Sequence, residues 1–397
     1  MPRLTLSLFG LACTLAACGD SNPPPDAPGT PTHPSAPQMG SNGGPVLAAP
    51  EIVPIFFTGD DDMQAQLEAF LRAIPGSDYW HAVGSEYGVG DPTVLPSIVS
   101  PEPPPTTDDE LQALLEAHAG PLETGPMHAR GQLGWPAPDP NTVYVVFLPS
   151  GVTLTAGSDV SCKTFGGYHS ETNQSRIVYA LLPRCPTTGV PINAISPALS
   201  HELIEAATDP HPGTAPGWAG VDSDDLIWDF APGGEVGDMC EYVAAAFQPL
   251  IGTYVVQRSW SNASAAAGHD PCVPALAQPY VTAAPNFADV QLDYPGGSAT
   301  TRGIQISNGS SATVDLDLFS DAPTADWTVG VDDVAVVVQM MPAELSFTLD
   351  KTTGNDGDRI HLTIKRLKDG AGGGSELVVV SKVNNVTVSL WWGLVTN

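Results

Sequence analysis

Seven consecutive residues, Thr142-Val143-Tyr144-Val145-Val146-Phe147-Leu148, offer almost no polar face. A half-buried strand alternates apolar and polar side chains, so an unbroken apolar run of this length predicts a strand covered on both faces. Such a strand can only sit inside a layered fold, and the flanking sequence supplies the layers. After the turn Gly59-Asp60-Asp61-Asp62, residues Met63, Leu67, Phe70, Leu71 and Ile74 recur at helical spacing until Pro75-Gly76 stops them. A second helix is expected over Asp108–Ala119, where Leu111, Leu114 and Leu115 share a face. Ile52 to Phe57 and Arg176 to Leu182 read as further strands. Pro54 places the first of these at a sheet edge, and Thr253 to Trp260 closes the unit. These elements predict an α+β (or α/β) domain over 51–275.

Beyond Pro274 the pattern changes. Short runs such as Thr313–Leu318, Leu345–Leu349 and Ile360–Ile364 alternate, Leu377–Val380 is rich in β-branched residues, and turn signals such as Asn308-Gly309 and Asp356-Gly357 separate them. Little helix is expected there, so 283–397 reads as an all-β sandwich of immunoglobulin-like architecture and accessory role.

The first residues read as an export signal: Arg3, an apolar stretch from Leu4 to Leu15, then Leu15-Ala16-Ala17-Cys18. The ending resembles the lipobox of bacterial lipoproteins. That resemblance implies cleavage after residue 17, lipid on Cys18, and an extracytoplasmic protein anchored to a bacterial outer membrane or cell surface. Residues 19–50 are rich in Pro, Gly, Ser, Asn and Thr and are expected to form a tether without a core. An exported chain favours disulfides among Cys162, Cys185, Cys240 and Cys272. Of the three pairings, Cys162–Cys185 with Cys240–Cys272 closes the local loops. The balance of 14 basic against 44 acidic residues, a net charge of −30, argues against nucleic acid and anionic membrane surfaces as partners. Membrane attachment is expected only through the lipid, and the protein is expected to be a monomer.

The chemistry-bearing stretch is Ser200-His201-Glu202-Leu203-Ile204-Glu205-Ala206-Ala207-Thr208-Asp209-Pro210. In a helix, His201 and Glu205 share a face and can reach one ion, with Glu202 beside them as a base for water. A catalytic zinc takes three protein ligands, and the third is sought among Asp222, Asp224, Asp225, Asp229, Glu235 and Asp238. Glu235 is favoured because Cys240 can anchor its loop. A carboxylate-rich set also suits Ca²⁺ or Mn²⁺. His269 is a candidate oxyanion donor or a plain surface histidine, and His169 a core residue orienting a disulfide loop. Ser200 lacks a GxSxG elbow and is not read as a nucleophile.

The run His201–Asp209 resembles the active-site helix of thermolysin-type metallopeptidases, with Glu205 where that family has its second histidine. The resemblance implies a zincin-like domain in which His201 binds Zn²⁺, Glu202 is the general base, and Glu235 and Asp238 stand for the later glutamate ligand and its neighbouring aspartate. Asp209, Asp229 and Asp238 are the expected supporting or alternative ligands. A broader pattern joins Tyr79-Trp80, Gly166-Gly167-Tyr168-His169, Cys185-Pro186, Thr208-Asp209-Pro210, Gly234–Cys240 and Trp260-Ser261-Asn262 with Cys272. This order is similar to the Exordium (phosphate-induced protein) family of secreted proteins, which implies an extracellular domain. Two functions are therefore expected as rivals. One is a surface-anchored zinc hydrolase acting on a peptide or cell-wall polymer; the other is a non-catalytic cell-surface binding protein with a structural metal or none.

Overall fold

A computed structural model of the chain describes residues 35–60, 62–120, 134–186, 191–294, 297–370 and 374–397. The expected signal 1–18, Cys18 and the first part of the tether lie outside them. Residues 35–50 are described, and they correct the expectation of a core-free tether to residue 50. Met39–Ser41 pairs antiparallel with Trp218–Val221, and Leu47 is fully buried. Enough apolar groups stand in this Pro- and Gly-rich segment to dock it.

The N-terminal domain is built on a mostly parallel sheet. Glu51–Phe57, Thr142–Phe147 and Val178–Leu182 run parallel, and Tyr168–Glu171 closes one edge antiparallel. On the other side Glu51–Phe57 pairs with Thr93–Val94 and then Ile98–Ser100. The Pro54 strand is therefore internal, not the edge its proline suggested. The neighbour breaks between Val94 and Ile98, opposite Val53 and Pro54, so the missing N–H falls where no ladder bond is required.

Alternation across the strands sorts the side chains into two layers. Val143, Val145, Phe147, Ala180 and Leu182 meet Leu199, Leu203 and Ile204 of the helix Ile192–Thr208. Tyr144, Val146, Tyr179 and Leu181 meet Leu111 and Leu115 of the helix Asp108–Ala119. Each such fully buried side chain contributes about 1.5–3 kcal/mol, which explains why an apolar run was needed at 142–148. Helix Gln64–Ala73 forms as its spacing predicts, but it lacks a side-chain N-cap. Asp60 and Asp62 pair with Arg184 instead. The segment from Thr253 does not join the main sheet. Tyr254–Gln257 makes a hairpin with Phe247–Ile251, and Ser259–Trp260 pairs with Cys272–Val273.

The C-terminal part is strand-rich, with two packed sheets. One orders Val281–Pro285, Ser311–Ser320, Arg359–Arg366 and Leu345–Leu349. The other has Ala288–Tyr294, Gly297–Gln305, Val386–Thr396, Gly374–Val383, Trp327–Asp333 and Thr353–Gly354. This sandwich packs directly on the first domain. Trp391 meets Trp228 edge-on, Trp392 meets Tyr242, and Arg302 reaches Asp224 and the buried Asp225. Both disulfides join the expected partners, Cys162–Cys185 and Cys240–Cys272. No helix among the described residues is long and apolar enough to cross a membrane.

Candidate metal centre

The helix Ile192–Thr208 carries the site. It starts behind Pro191, tolerates Pro197 in its second turn, and ends at Asp209, whose Oδ1 accepts from Gly217 N at 2.7 Å. Every residue from Leu199 to Thr208 is buried, so this part of the helix is covered on all sides rather than amphipathic, whereas Ala194, Pro197 and Ala198 before it border a cleft. Its three charged or titratable groups are covered as well: His201 is 8 %, Glu202 5 % and Glu205 2 % exposed. Ionised carboxylates at such burial require compensation.

Glu205 is the hub of the arrangement. Its Oε1 accepts from Gly237 N at 3.1 Å and Asp238 N at 3.0 Å, at the start of the short helix Asp238–Glu241. Its Oε2 faces two imidazoles, His201 Nε2 at 3.0 Å and His169 Nδ1 at 3.6 Å. Asp238 Oδ1 lies 3.4 Å from His201 Nε2. His169 Nδ1 is also 3.7 Å from Glu202 Oε2, and its Nε2 is 3.7 Å from Glu235 Oε1. Two sets of three groups thus lie close enough to hold a cation: His201, Glu205 and Asp238, and His169, Glu205 and Glu235.

His169 is the participant that sequence reasoning missed. It sits on the edge strand opposite Ala180, and Ala180 faces the central helix, so period-two alternation sends His169 to the same side. Its neighbour Tyr168 faces the other way, where Tyr168 and Tyr179 both donate to Asp108 Oδ1. The signal was the Gly166-Gly167-Tyr168-His169 run. A Cβ at Gly167 would stand 2.8 Å from Glu202 Oε1, so the glycine lets this loop lie against the helix.

The expected ligand set is regrouped. His201 and Glu205 come together as the helical spacing requires, but the acidic group that approaches His201 is Asp238. Glu235 approaches His169 instead. Glu235 bridges to Ala219 before the short helix, whereas Asp238 is the first residue of that helix, so the two carboxylates reach Glu205 from different backbone settings. Asp209 caps the helix, and its Oδ2 is buried without a partner. Asp229 belongs to neither set; its Oδ1 accepts from Val221 N at 2.8 Å and braces the loop before Gly234. Asp222 likewise braces a loop, accepting from Gln38 N at 2.9 Å. Ser200 Oγ donates to Pro197 O and accepts from Gln257 N, a structural role. His269 is largely exposed and pairs with Asp321 of the sandwich, away from the cluster.

Electrostatics follow from burial and crowding. Burial pushes Glu235 up to about 8, aided by repulsion from Glu205, and Glu241 up to about 7. Burial also raises Asp238 and Glu202. Burial opposes the charge on Glu205 too, yet His201 and His169 hold its carboxyl well below the usual range. Both imidazoles are raised: burial works against their charge, and the surrounding carboxylates outweigh it. A second constraint acts on His201. Gln257 Nε2 donates to Gly237 O at 2.8 Å and faces His201 Nδ1 at 2.9 Å, which opposes a proton at Nδ1.

The cluster opens to solvent through a cleft of about 500 Å³. His201, Glu202, Asp238 and Glu241 line its polar floor, while Phe165, Pro197, Tyr242 and Phe247 form apolar walls. Tyr242 is the residue that packs on Trp392, so the sandwich supports one wall.

No known protein-family profile matches this chain, and no curated protein matches it in sequence. Among solved structures it is weakly similar to a conjugative transposon lipoprotein from Bacteroides eggerthii, at 11% identity over 29% of this chain and 97% of that one, with a TM-score of 0.18. It is also weakly similar to the BIgI domain of beta protein from S. agalactiae bound to CEACAM1, at 14% identity over 28% and 95% with a TM-score of 0.17. A third is the titin M3 domain, at 10% identity over 29% and 97% with a TM-score of 0.16. Likenesses this distant assign no activity to the chain.

Proposed function

We propose that this chain is an exported, lipid-anchored metallohydrolase of peptidase type, working with a divalent cation, zinc first, at the floor of the cleft. One observation carries the reading. The buried stretch Leu199–Thr208 of the helix spends three of its positions on His201, Glu202 and Glu205, and these meet Asp238 where the cleft reaches the helix. A zincin-like relation for the first domain, an immunoglobulin-like one for the sandwich and an Exordium-like ancestry belong to the same proposal.

His201 Nε2, Glu205 Oε2 and Asp238 Oδ1 are the holding groups. When bound, the cation supplies Lewis acidity, polarising an amide carbonyl and acidifying water. The backbone amides of Gly237 and Asp238 keep Glu205 aimed while leaving its second oxygen free. A cation on His201 Nε2 would leave that ring's proton on Nδ1, the atom that faces the Gln257 side-chain amide at 2.9 Å. Glu202, at the cleft wall beside this set, takes the proton from water and returns it to the leaving amine. Phe165, Tyr242 and Phe247 offer apolar contacts to a peptide or to the peptide part of a cell-wall polymer. Mn²⁺ and Ca²⁺ remain compatible with so many oxygen donors.

Glu202→Gln tests this. Turnover of unstructured protein and of peptidoglycan peptides is expected to fall roughly 10²–10⁴-fold, with bound zinc unchanged. Full turnover in that variant, or no hydrolysis of either substrate by the zinc-loaded chain, would overturn the proposal. Bound calcium without turnover would support the non-catalytic binding protein.

A further inference from the structure

We infer that the centre holds two divalent cations, with a second one on His169 Nε2, Glu235 and the shared Glu205. This deepens the hydrolase reading and rests on it for function, but the cation count can be tested without turnover.

The first argument is an unpartnered atom. The His169 side chain is only 4 % exposed, and its Nε2 is buried with no hydrogen-bond partner although it points at Glu235 Oε1. A polar nitrogen left so costs roughly 1–3 kcal/mol unless something occupies the gap. The 3.7 Å separation is too long for a hydrogen bond. It is close to the roughly 3.4 Å that separates two ligand atoms on one tetrahedral ion with bonds near 2.1 Å. With the ion on Nε2, the ring keeps its proton on Nδ1, toward Glu202 Oε2 at 3.7 Å. Carboxylates behind a ligating histidine commonly fix its orientation in this way.

The second argument is charge. Glu202, Glu205, Glu235 and Asp238 surround two imidazoles in one largely buried cluster. One dication leaves two of the four carboxylates uncompensated when the histidines are neutral ligands; two dications balance them. Glu205 is built for the shared position, because its other oxygen is tied to two backbone amides and cannot swing away.

The experiment is a count on the full chain. After removal of metal by a chelator, equilibrium dialysis against Mn²⁺ or Zn²⁺ with elemental analysis is expected to give two ions per chain. His169→Ala and Glu235→Gln are each expected to retain one, and Mn²⁺-loaded wild type is expected to show the exchange-coupled paramagnetic resonance signal of a close pair, lost in both variants. Glu235→Gln keeps the side-chain volume, so it stands as the measurement if His169→Ala fails to fold. One ion per chain in the wild type, or two ions undiminished in a folded Glu235→Gln, would overturn the inference. One ion with full hydrolysis would sink the second cation and leave the hydrolase standing; two ions with no hydrolysis would do the reverse.

Discussion

Gly237→Ala separates local preference from the demands of the site, because the two have opposite signs. Gly237 sits at φ −76° and ψ −45°, ordinary helical backbone just before the helix Asp238–Glu241. Alanine is favoured over glycine in such a conformation by about 0.5–1 kcal/mol. A Cβ there, however, would stand 2.8 Å from both Glu205 Oε1 and His201 Nδ1 and 3.0 Å from His201 Cε1. Ordinary contact needs the neighbours to retreat by more than about 0.5 Å. Both resist, since Glu205 Oε1 is held by the Gly237 and Asp238 amides and His201 Nδ1 is already backed by Gln257 Nε2 at 2.9 Å. Overpacking of this kind costs about 1–3 kcal/mol, and weakening a charged hydrogen bond adds about 1 kcal/mol. The net expectation is a loss of about 1–3 kcal/mol, read as a fall in thermal midpoint of roughly 2–10 °C in the metal-free protein. Displacing both His201 and Glu205 is also expected to weaken cation binding by about 10–100-fold, the range seen when supports of metal ligands are disturbed. Circular dichroism melting under chelator and competition against a chromophoric chelator measure the two effects. A midpoint that rises, with unchanged cation affinity, would refute the packing argument.

Removing the Cys162–Cys185 bridge by double serine substitution frees a loop closed across 23 residues, costing about 3 kcal/mol. The bridge holds the loop that carries Gly167 and leads into His169, so cation affinity is expected to fall with the midpoint; a variant that melts and binds like the wild type would count against this. Asp225, buried at the seam between the two parts, is pushed up to about 7 by burial, with Arg302 opposing. A carboxyl raised in the folded state favours folding fully below its unfolded value near 4, and that contribution is lost as pH rises toward 7. Asp225→Asn is therefore expected to gain on the wild type between pH 4 and 8, by up to about 4 kcal/mol; parallel stability–pH curves would contradict the assignment.

The layered sheet and the helix bearing His201 and Glu205 were legible in the sequence because they depend on local periodicity. An apolar run with no polar face must be covered twice, and a spacing of four must place two residues on one side. The disulfide partners and the strand-rich C-terminal part were legible for the same short-range reasons. Tertiary structure alone decided which segments meet. It brought His169 from an edge strand to Glu202 and Glu205, sent Asp238 rather than Glu235 to His201, and packed residues 35–50 and the sandwich onto the first domain. It also made Pro54 harmless inside a sheet by breaking the neighbouring strand opposite it. Periodicity specifies which face of an element is apolar, but not which distant element will cover it. The cluster of buried charge exists only where three separate segments converge.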